Sequence, residues 1–364
     1  MLKEATELEL KLIRRIRREG RITFRDFMRA ALYDSELGYY NTERLKIGPR
    51  GDYYTSSNAH PVFGAVLAAS FAGLWNGFGD EHSLTLVEMG AGTGQMASDV
   101  MCAMRDEHPS LFEGLRYVIV ESSRAMIARQ RERLAPFSGR VRWRTLQEIE
   151  RAPLTGIFFS NELIDAMPVA RVRFNRGKLE EQYVGLEPGR ERLELLWGEP
   201  SDLKLAGYIN RAGLSLREGQ IIEINLDALS WLESLSRAIE RGFLVTIDYG
   251  DINTHLYGPD RAGGTLRSFS RHRLIDSPLD LIGEQDITAS VNFTALIEYG
   301  RDFGFETLSY ERQVSFLIRN KLIERIAAMR SANEGDMKER LQVKNLFVPG
   351  GASDNFRVLI QVKR

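Results

Sequence analysis

The chain has 364 residues, a length that fits either one large domain with a substantial insertion or two domains. Apolar residues make up 43% of it and charged residues 27%, which is typical of a globular protein and excludes a chain with too little apolar surface to fold. The formal net charge of −1 gives no electrostatic reason to expect nucleic acid as a partner, and the lack of a long apolar run argues against membrane insertion.

Two amphipathic helices are predicted at the start of the chain. Apolar residues recur among charges through 5–18, and Gly20 is expected to end that helix. Thr23 is expected to cap a second helix that continues to Leu32. The polar, glycine-rich segment 46–58 then predicts a long loop, and long loops inside folded chains often carry function.

From residue 60 the pattern changes to helices that alternate with short apolar strands, which predicts a doubly wound α/β sheet. Helices are predicted at about 61–78, 94–106 and 123–134. Strands are predicted at 84–89, 116–121, 141–145, 156–161 and 242–248, with a closing pair at 306–311 and 356–362.

About eighty residues between the fourth and fifth strands break this rhythm. Polar and apolar residues alternate on both sides of Asn175-Arg-Gly177, which predicts a β-hairpin over 169–184. Further strands at 193–197 and 220–224 complete an expected antiparallel insertion. The predicted organisation is an N-terminal helical segment with a lid loop (1–60), the first part of a Rossmann-like core (61–168), an insertion for substrate or partner (169–240) and the second part of the core (241–364).

The segment Val87-Glu-Met-Gly-Ala-Gly-Thr-Gly94 follows the first predicted strand and predicts a ligand-binding turn. Dinucleotide sites space their glycines as G-x-G-x-x-G, whereas Gly90, Gly92 and Gly94 are spaced as G-x-G-x-G. The carboxylate of Glu88 suits a ligand with a positive amino group better than a pyrophosphate. S-adenosylmethionine is such a ligand; a turn that only packs a helix on a strand remains the alternative.

Acidic and amide side chains follow the other predicted strands of the core. Glu121 ends the second strand, where a carboxylate can accept hydrogen bonds from ribose hydroxyls, or can simply be solvated. Asn161, Glu162 and Asp165 follow the fourth strand, where they bind a ligand or cap a helix. Glu162 and Asp165 are a pair that could hold a guanidinium group. Asp248 at the end of strand five is a further acid at this edge, either catalytic or purely structural.

Metal and disulfide chemistry are not indicated. The chain has one cysteine, Cys102, in an apolar helical run, and five scattered histidines without the spacing of a metal site. Cys102 is therefore interpreted as a core residue, and a metal-free protein of a reducing compartment, the cytoplasm, is expected.

An ordered set of motifs runs along nearly the whole chain and resembles the MidA-type family of class I S-adenosylmethionine-dependent methyltransferases. The motifs include Gly38-Tyr-Tyr40, Gly51-Asp-Tyr-Tyr-Thr-Ser56, the glycine turn, Asn161-Glu-Leu-Ile-Asp-Ala-Met-Pro-Val169, Asp248-Tyr-Gly250, Gly264-Thr-Leu-Arg267, Asp286-Ile-Thr288 and Pro349-Gly-Gly351. The resemblance implies symmetric dimethylation of arginine on a protein, the activity by which mitochondrial members assist the assembly of respiratory complex I.

The resemblance also implies roles for particular residues. Thr55 and Ser56 would form part of a lid over the cofactor. Predicted cofactor contacts are Thr55, Ser56, Glu88, Gly90, Ala91, Gly92, Gly94, Glu121, Ser122 and Asn161. Predicted catalytic residues, at the boundary between cofactor and acceptor, are Asn161, Glu162, Asp165 and Asp248.

Some positions depart from the family pattern, and they keep other functions open. Ser57-Asn58 stands where members have proline and glutamate, and Ser290 and Asn292 stand where they have histidine and aspartate. Besides a protein arginine methyltransferase, the chain could be a methyltransferase of a small molecule, or an assembly factor that binds the cofactor without turnover. A nicotinamide enzyme is disfavoured by the glycine spacing.

Overall fold

The structure, a computed structural model, describes residues 5–42, 60–78, 83–258, 261–270, 273–328, 343 and 352–364. Its helices are α1 Glu7–Glu19, α2 Phe24–Tyr33, α3 Val62–Trp75, α4 Gln95–Glu107, α5 Pro109–Glu113, α6 Arg124–Arg133, α7 Leu146–Arg151, α8 Leu203–Arg211, α9 Leu226–Ala238, α10 Asn253–Leu256, α11 Phe293–Asp302, α12 Gln313–Arg319 and α13 Leu322–Ala328. Within this part of the chain, no helix combines the length and apolarity needed to cross a membrane.

The strands are β1 Ile22–Thr23, β2 Thr85–Met89, β3 Arg116–Val120, β4 Val141–Arg144, β5 Leu154–Asn161, β6 Ala170–Asn175, β7 Lys178–Leu186, β8 Leu193–Gly198, β9 Ile221–Ile224, β10 Ile239–Asp251, β11 Arg267–Ser270, β12 Arg273–Ile275, β13 Asp286–Thr288, β14 Val291–Asn292, β15 Glu306–Arg312 and β16 Phe356–Lys363. The chain divides into two compact units, each assembled from several segments. The parallel-sheet unit comprises Tyr54–Leu163, Trp231–Tyr249 and Ile297–Arg364, and the antiparallel-sheet unit comprises Met1–Tyr53, Ile164–Ser230 and Gly250–Leu296.

The central sheet of the parallel-sheet unit has the strand order β15-β16-β10-β5-β2-β3-β4. Neighbours from β10 to β4 are parallel, whereas β16 is antiparallel to both β10 and β15. The chain therefore leaves β2 outward through β3 and β4, and then continues on the other side of β2 with β5. This reversal creates the crevice at the carboxyl ends of the strands where doubly wound sheets bind ligands. The predicted α/β fold and its closing antiparallel pair are confirmed.

Strands of this sheet form because their residues are apolar on both faces, where helices cover them. All of β2 is buried, and α3 is apolar around its whole circumference rather than along one stripe. The rings of Phe71 on α3 and Phe159 on β5 lie 4.9 Å apart between centroids. A Cβ at Gly64 would lie 2.4 Å from the Cβ of Asp99, so glycine lets α3 approach α4 closely. These contacts hold the helix that follows the glycine turn against the sheet.

The antiparallel-sheet unit is built around β1, β6, β7, β8 and β9, and it contains the predicted hairpin. Its turn places Arg176 at φ 50° and Gly177 at φ 76°, the left-handed pair that a two-residue hairpin loop requires. The predicted strands at 193–197 and 220–224 are present as β8 and β9. A separate core of this unit packs α1 and α2 against the sheet through Leu12, Phe27 and Val184, among others.

The two N-terminal helices begin and end as predicted. Thr23 caps α2 by accepting a hydrogen bond from the backbone N–H of Asp26, and Gly20 ends α1 at φ 83°. The two units differ from the predicted segments at several boundaries. Residues 164–168 fall in the antiparallel-sheet unit and 231–240 in the parallel-sheet unit, and Gly250–Leu296 belongs to the antiparallel-sheet unit rather than to the core. Part of the reason is that β14 pairs with the last residues of β10, a long-range pairing that local sequence patterns do not reveal.

Candidate functional site

The glycine turn lies between β2 and α4 and has left-handed backbone at all three glycines: φ is 71° at Gly90, 51° at Gly92 and 77° at Gly94. The backbone N–H of Gly90 donates to the carbonyl of Val120 at the end of β3 (3.1 Å). A Cβ at Gly90 would lie 2.8 Å from Cδ1 of Leu163. Glycine is therefore required here both by backbone conformation and by space.

The start of α4 presents backbone N–H groups to the same crevice. Gly94 precedes the helix, and no side chain among the described residues makes a capping hydrogen bond there. The first N–H groups of a helix have no partner within the helix, so they are available to a polar ligand or to water.

Glu88, the predicted counter-charge to the ligand's amino group, is only 3% exposed within the sheet. The hydroxyl of Tyr117 donates to its Oε2 (2.6 Å), and burial raises the pKa of the Glu88 carboxyl to about 7. The hydrogen-bond partner of Glu88 is thus Tyr117 on β3. With a pKa of about 7, the Glu88 carboxyl is uncharged in about half of the molecules at neutral pH. Direct contact of Glu88 with a ligand stays a prediction.

Glu121 follows β3 and is held in place by three donors. Its Oε1 accepts from the backbone N–H groups of Ser122 (2.8 Å) and Ser123 (2.9 Å), and its Oε2 accepts from the side-chain amide of Gln130 (3.2 Å). Burial raises the pKa of Glu121, while these hydrogen bonds act in the opposite direction by stabilising the carboxylate. The structure therefore holds the predicted ribose acid in one orientation at the carboxyl end of β3, with Ser122 contributing through its backbone.

Asn161 and Glu162 form a strained turn directly after β5. Glu162 has a left-handed backbone (φ 52°), which is uncommon for a residue other than glycine. Its N–H donates to the carbonyl of Ile247 (3.0 Å), and the next N–H, of Leu163, donates to Oδ2 of Asp248 (3.2 Å). These hydrogen bonds to β10 hold the strained conformation. Such strain is concentrated at functional sites, so Glu162 is the best supported of the predicted acids.

Asp248, for which both a catalytic and a structural role are predicted, supports the turn after β5 through its hydrogen bonds. Its side chain is fully buried, with Oδ2 accepting from Leu163 and Oδ1 from the N–H of Tyr249 (2.8 Å). A buried carboxylate that accepts these two backbone N–H groups supports the turn, and a catalytic role of Asp248 stays a prediction. The geometry therefore makes Asp248 a positioning residue for the Asn161–Leu163 segment.

Asn161 carries an unused hydrogen-bond acceptor. Its Nδ2 donates to Oε1 of Glu162 (3.2 Å), whereas its Oδ1 is buried without a donor among the described residues. Buried polar atoms of this kind are rare, and one at the mouth of a crevice indicates a missing ligand donor. Met89 on β2 pairs with Ser160 on β5, so this atom lies beside the start of the glycine turn.

The contacts of the remaining predicted site residues say little about their roles. Ala91 is buried within the glycine turn. Asp165 is half-buried and falls in the antiparallel-sheet unit, where its carbonyl accepts from the N–H of Ala289 (2.9 Å). Thr55, Ser56 and the rest of the predicted lid lie outside the described residues.

Sequence analysis did not single out Gln130 on α6. This side chain has no exposed surface and bonds the carbonyl of Gly92 (2.8 Å) as well as Glu121. The sequence gives only a weak indication that Gln130 is buried: it lies four residues after the apolar Met126 and therefore on the same face of the helix. The many arginines of 124–133 make the helix look exposed on all sides.

Comparison with known proteins places this arrangement in a family. A family model described as "Putative S-adenosyl-L-methionine-dependent methyltransferase" matches residues 66–311, more than half of the chain, and the chain belongs to this family. A crystal structure of a Burkholderia thailandensis protein bound to S-adenosyl-homocysteine is similar over 100% of this chain and 95% of its own, with 28% identity and a TM-score of 0.86.

Named relatives give a more specific likeness. The mitochondrial protein arginine methyltransferase NDUFAF7 of Danio rerio is 24% identical over 346 residues, covering 88% of this chain and 78% of the relative. NDUFAF7 of Mus musculus is 24% identical over 318 residues, covering 80% of this chain and 69% of the relative. The protein is thus an S-adenosylmethionine-dependent methyltransferase of the α/β class, and the cofactor predicted from the glycine turn is confirmed.

The residues present fit this cofactor. Three glycines with left-handed backbone form the turn between β2 and α4 at which the cofactor is expected, and Glu121 follows the strand at whose end a ribose hydroxyl is expected. The buried Oδ1 of Asn161 offers an acceptor for the amino group of the cofactor's methionine part. These groups come from β2, β3 and β5, neighbouring strands of one sheet, and they lie within the parallel-sheet unit.

Proposed function

We propose that the protein transfers methyl groups to arginine on a protein substrate. The observation that carries the proposal is Glu162, a half-buried carboxylate held in a strained turn beside Asn161 at the cofactor edge. The names of the NDUFAF7 relatives support an arginine acceptor. Symmetric dimethylarginine is the proposed product.

The proposed chemistry needs a carboxylate at this place. Bound S-adenosylmethionine supplies a methyl group activated by its sulfonium. Glu162 would accept N–H bonds from the guanidinium and keep one nitrogen in line with that methyl carbon. As the new N–C bond forms and the S–C bond breaks, the nitrogen must lose a proton, and the Glu162 carboxylate is the base that receives it.

Methyl transfer to proteins tests this proposal. The purified chain is incubated with isotope-labelled S-adenosylmethionine and a cell lysate, and labelled peptides are sequenced by mass spectrometry that separates symmetric from asymmetric dimethylarginine. We expect label on arginine with the wild-type protein, and at least a 100-fold lower rate with Glu162→Gln at unchanged cofactor affinity, since general-base catalysis contributes roughly that much.

Glu306→Gln is the matched control, because Glu306 is exposed on the edge strand β15, away from the cofactor edge. Label on another type of residue, or an undiminished rate with Glu162→Gln, would contradict the proposal. Cofactor binding without transfer to any lysate protein would favour a binding or assembly role instead.

A further inference from the structure

We propose that Gln130 is a positioning residue for the cofactor's ribose: it fixes the Glu121 carboxylate relative to the glycine turn. Gln130 lies on α6 and has no exposed surface. Its Nε2 donates to the carbonyl of Gly92 (2.8 Å) and to Oε2 of Glu121 (3.2 Å). One side chain thus connects the two groups that the cofactor must contact at the same time.

The orientation of the Gln130 amide is set by a third partner. Nε1 of Trp143 on β4 donates to Oε1 of Gln130 (2.9 Å). An indole nitrogen can only donate, so the end of the amide that faces Trp143 has to be the oxygen. A flipped amide would set NH₂ against the indole N–H and oxygen against the Gly92 carbonyl and the Glu121 carboxylate. Trp143 therefore directs both donors of Gln130 toward the cofactor edge.

The hydrogen bonds of Glu121 show why this orientation matters. A carboxylate has roughly four acceptor positions, and the N–H groups of Ser122 and Ser123 take two of them on Oε1. Gln130 takes one on Oε2, so about one position remains for a ribose hydroxyl. The Gln130 bond decides in which direction that position points. Without it, the carboxylate can rotate and the hydroxyl loses its aligned acceptor.

Packing also restrains Gln130 from the side of the glycine turn. A Cβ at Gly94 would lie 3.3 Å from Cγ of Gln130, so the stem of the side chain rests directly on the turn. An apolar side chain of the same length, such as methionine, would keep this packing but lose the hydrogen bonds. This makes Gln130→Met the variant that separates positioning from packing.

The test measures how strongly the protein recognises ribose hydroxyls. Calorimetry gives the affinities of wild type and Gln130→Met for S-adenosylhomocysteine and for its 2′-deoxy and 3′-deoxy analogues. The quantity compared is the ratio of the affinity for S-adenosylhomocysteine to the affinity for the weaker-binding deoxy analogue. In the wild type we expect this ratio to be about 10 or more, because the missing hydroxyl loses a hydrogen bond to a charged group. In Gln130→Met we expect the ratio to fall below about 3. Loss of fold stability alone would weaken all three ligands equally.

Two further variants keep the test decisive. Gln313→Met removes another fully buried glutamine of the same unit, on α12, and should leave the ratio at its wild-type value. Trp143→Phe removes the N–H that anchors the amide and keeps an aromatic ring at this place, so it should lower the ratio by about 3-fold. This variant gives a result even if Gln130→Met does not fold. A wild-type ratio in the folded Gln130→Met or Trp143→Phe protein would overturn the proposal.

Discussion

A buried polar cluster in the antiparallel-sheet unit and the end of β5 in the parallel-sheet unit differ in how completely their groups are hydrogen-bonded. In the antiparallel-sheet unit, Arg171 donates to Glu223 (3.1 Å), to Gln182 (2.7 Å) and to the carbonyl of Gly263 (3.2 Å), and Glu223 also accepts from Thr265. At the end of β5, by contrast, Oδ1 of Asn161 and the hydroxyl of Ser160 are buried without a donor among the described residues. Polar groups whose hydrogen bonds are made within the protein stabilise its fold, whereas a buried acceptor without a donor at the end of a strand favours a ligand that can donate to it.

The largest expected effect comes from the glycine turn. Gly92→Val places a β-branched residue at φ 51°, where its side chain is strained and occupies the ligand's approach. We expect affinity for S-adenosylhomocysteine to fall by roughly 1,000-fold or more, a loss of at least about 4 kcal/mol, measured by calorimetry. Gly73→Ala is the control, because Gly73 lies on α3 with open space around it. If Gly92→Val still bound S-adenosylhomocysteine with wild-type affinity, the glycine turn would not be part of the cofactor site.

Removing Arg171 from its hydrogen-bonded cluster in the antiparallel-sheet unit should lower the stability of the fold rather than the affinity for the cofactor. Arg171→Met leaves the Glu223 carboxylate buried without its cation, which costs about 3–5 kcal/mol of unfolding free energy. Denaturant unfolding followed by circular dichroism measures this loss. The control Arg190→Met, which removes an exposed ion pair with Glu187, should change the free energy by less than about 1 kcal/mol. Equal losses of unfolding free energy in both variants would mean that the buried Arg171–Glu223 pair contributes no more to stability than an exposed ion pair.

Glu88 predicts a dependence of stability on pH. Its pKa is raised from an ordinary 4.5 to about 7, so the folded chain keeps a proton that the unfolded chain has lost. The corresponding stability is complete below pH 4.5 and is lost as the pH rises through 7, a change of about 3 kcal/mol. Glu88→Gln removes this loss, so the variant's stability relative to wild type should rise by about that amount between pH 4.5 and 8. A difference in stability between Glu88→Gln and wild type that stays constant from pH 4.5 to 8 would contradict the raised pKa of Glu88.

Local patterns were sufficient to predict most of the fold. The strands around the glycine turn are apolar runs, the hairpin carries Asn175-Arg-Gly177, and the first helices carry Thr23 and Gly20 at their ends, so each is encoded within a few residues. The alternation of strands and helices also placed Glu121 and Asn161 at the carboxyl edge of the sheet. Both remain at that edge in the structure.

The features that sequence analysis missed depend on long-range packing. The hydrogen bond that joins Glu88 to Tyr117 reaches a different strand, so the local sequence does not reveal it. The same holds for the hydrogen bond by which Asp248 supports the 161–163 turn. Gln130 was passed over since its bonds reach Gly92, 38 residues away. In each case the chemistry of the residue was evident but its surroundings were not.

The central claim is that the cofactor edge has unused acceptors that a ligand satisfies, and Asn161→Leu tests it most directly. Leucine removes the unpaired Oδ1, whose burial costs about 1–3 kcal/mol, and with it the hydrogen bond from Nδ2 to Glu162, which contributes only about 0.5–1.5 kcal/mol. Because leucine also keeps a side chain of similar size, the ligand-free fold should be no less stable. The measurement is the shift in unfolding midpoint that saturating S-adenosylhomocysteine causes in each protein. We predict an equal or higher ligand-free midpoint in Asn161→Leu, with at least a 30-fold loss of affinity and hence a much smaller shift. A lower ligand-free midpoint together with a wild-type shift would contradict the claim.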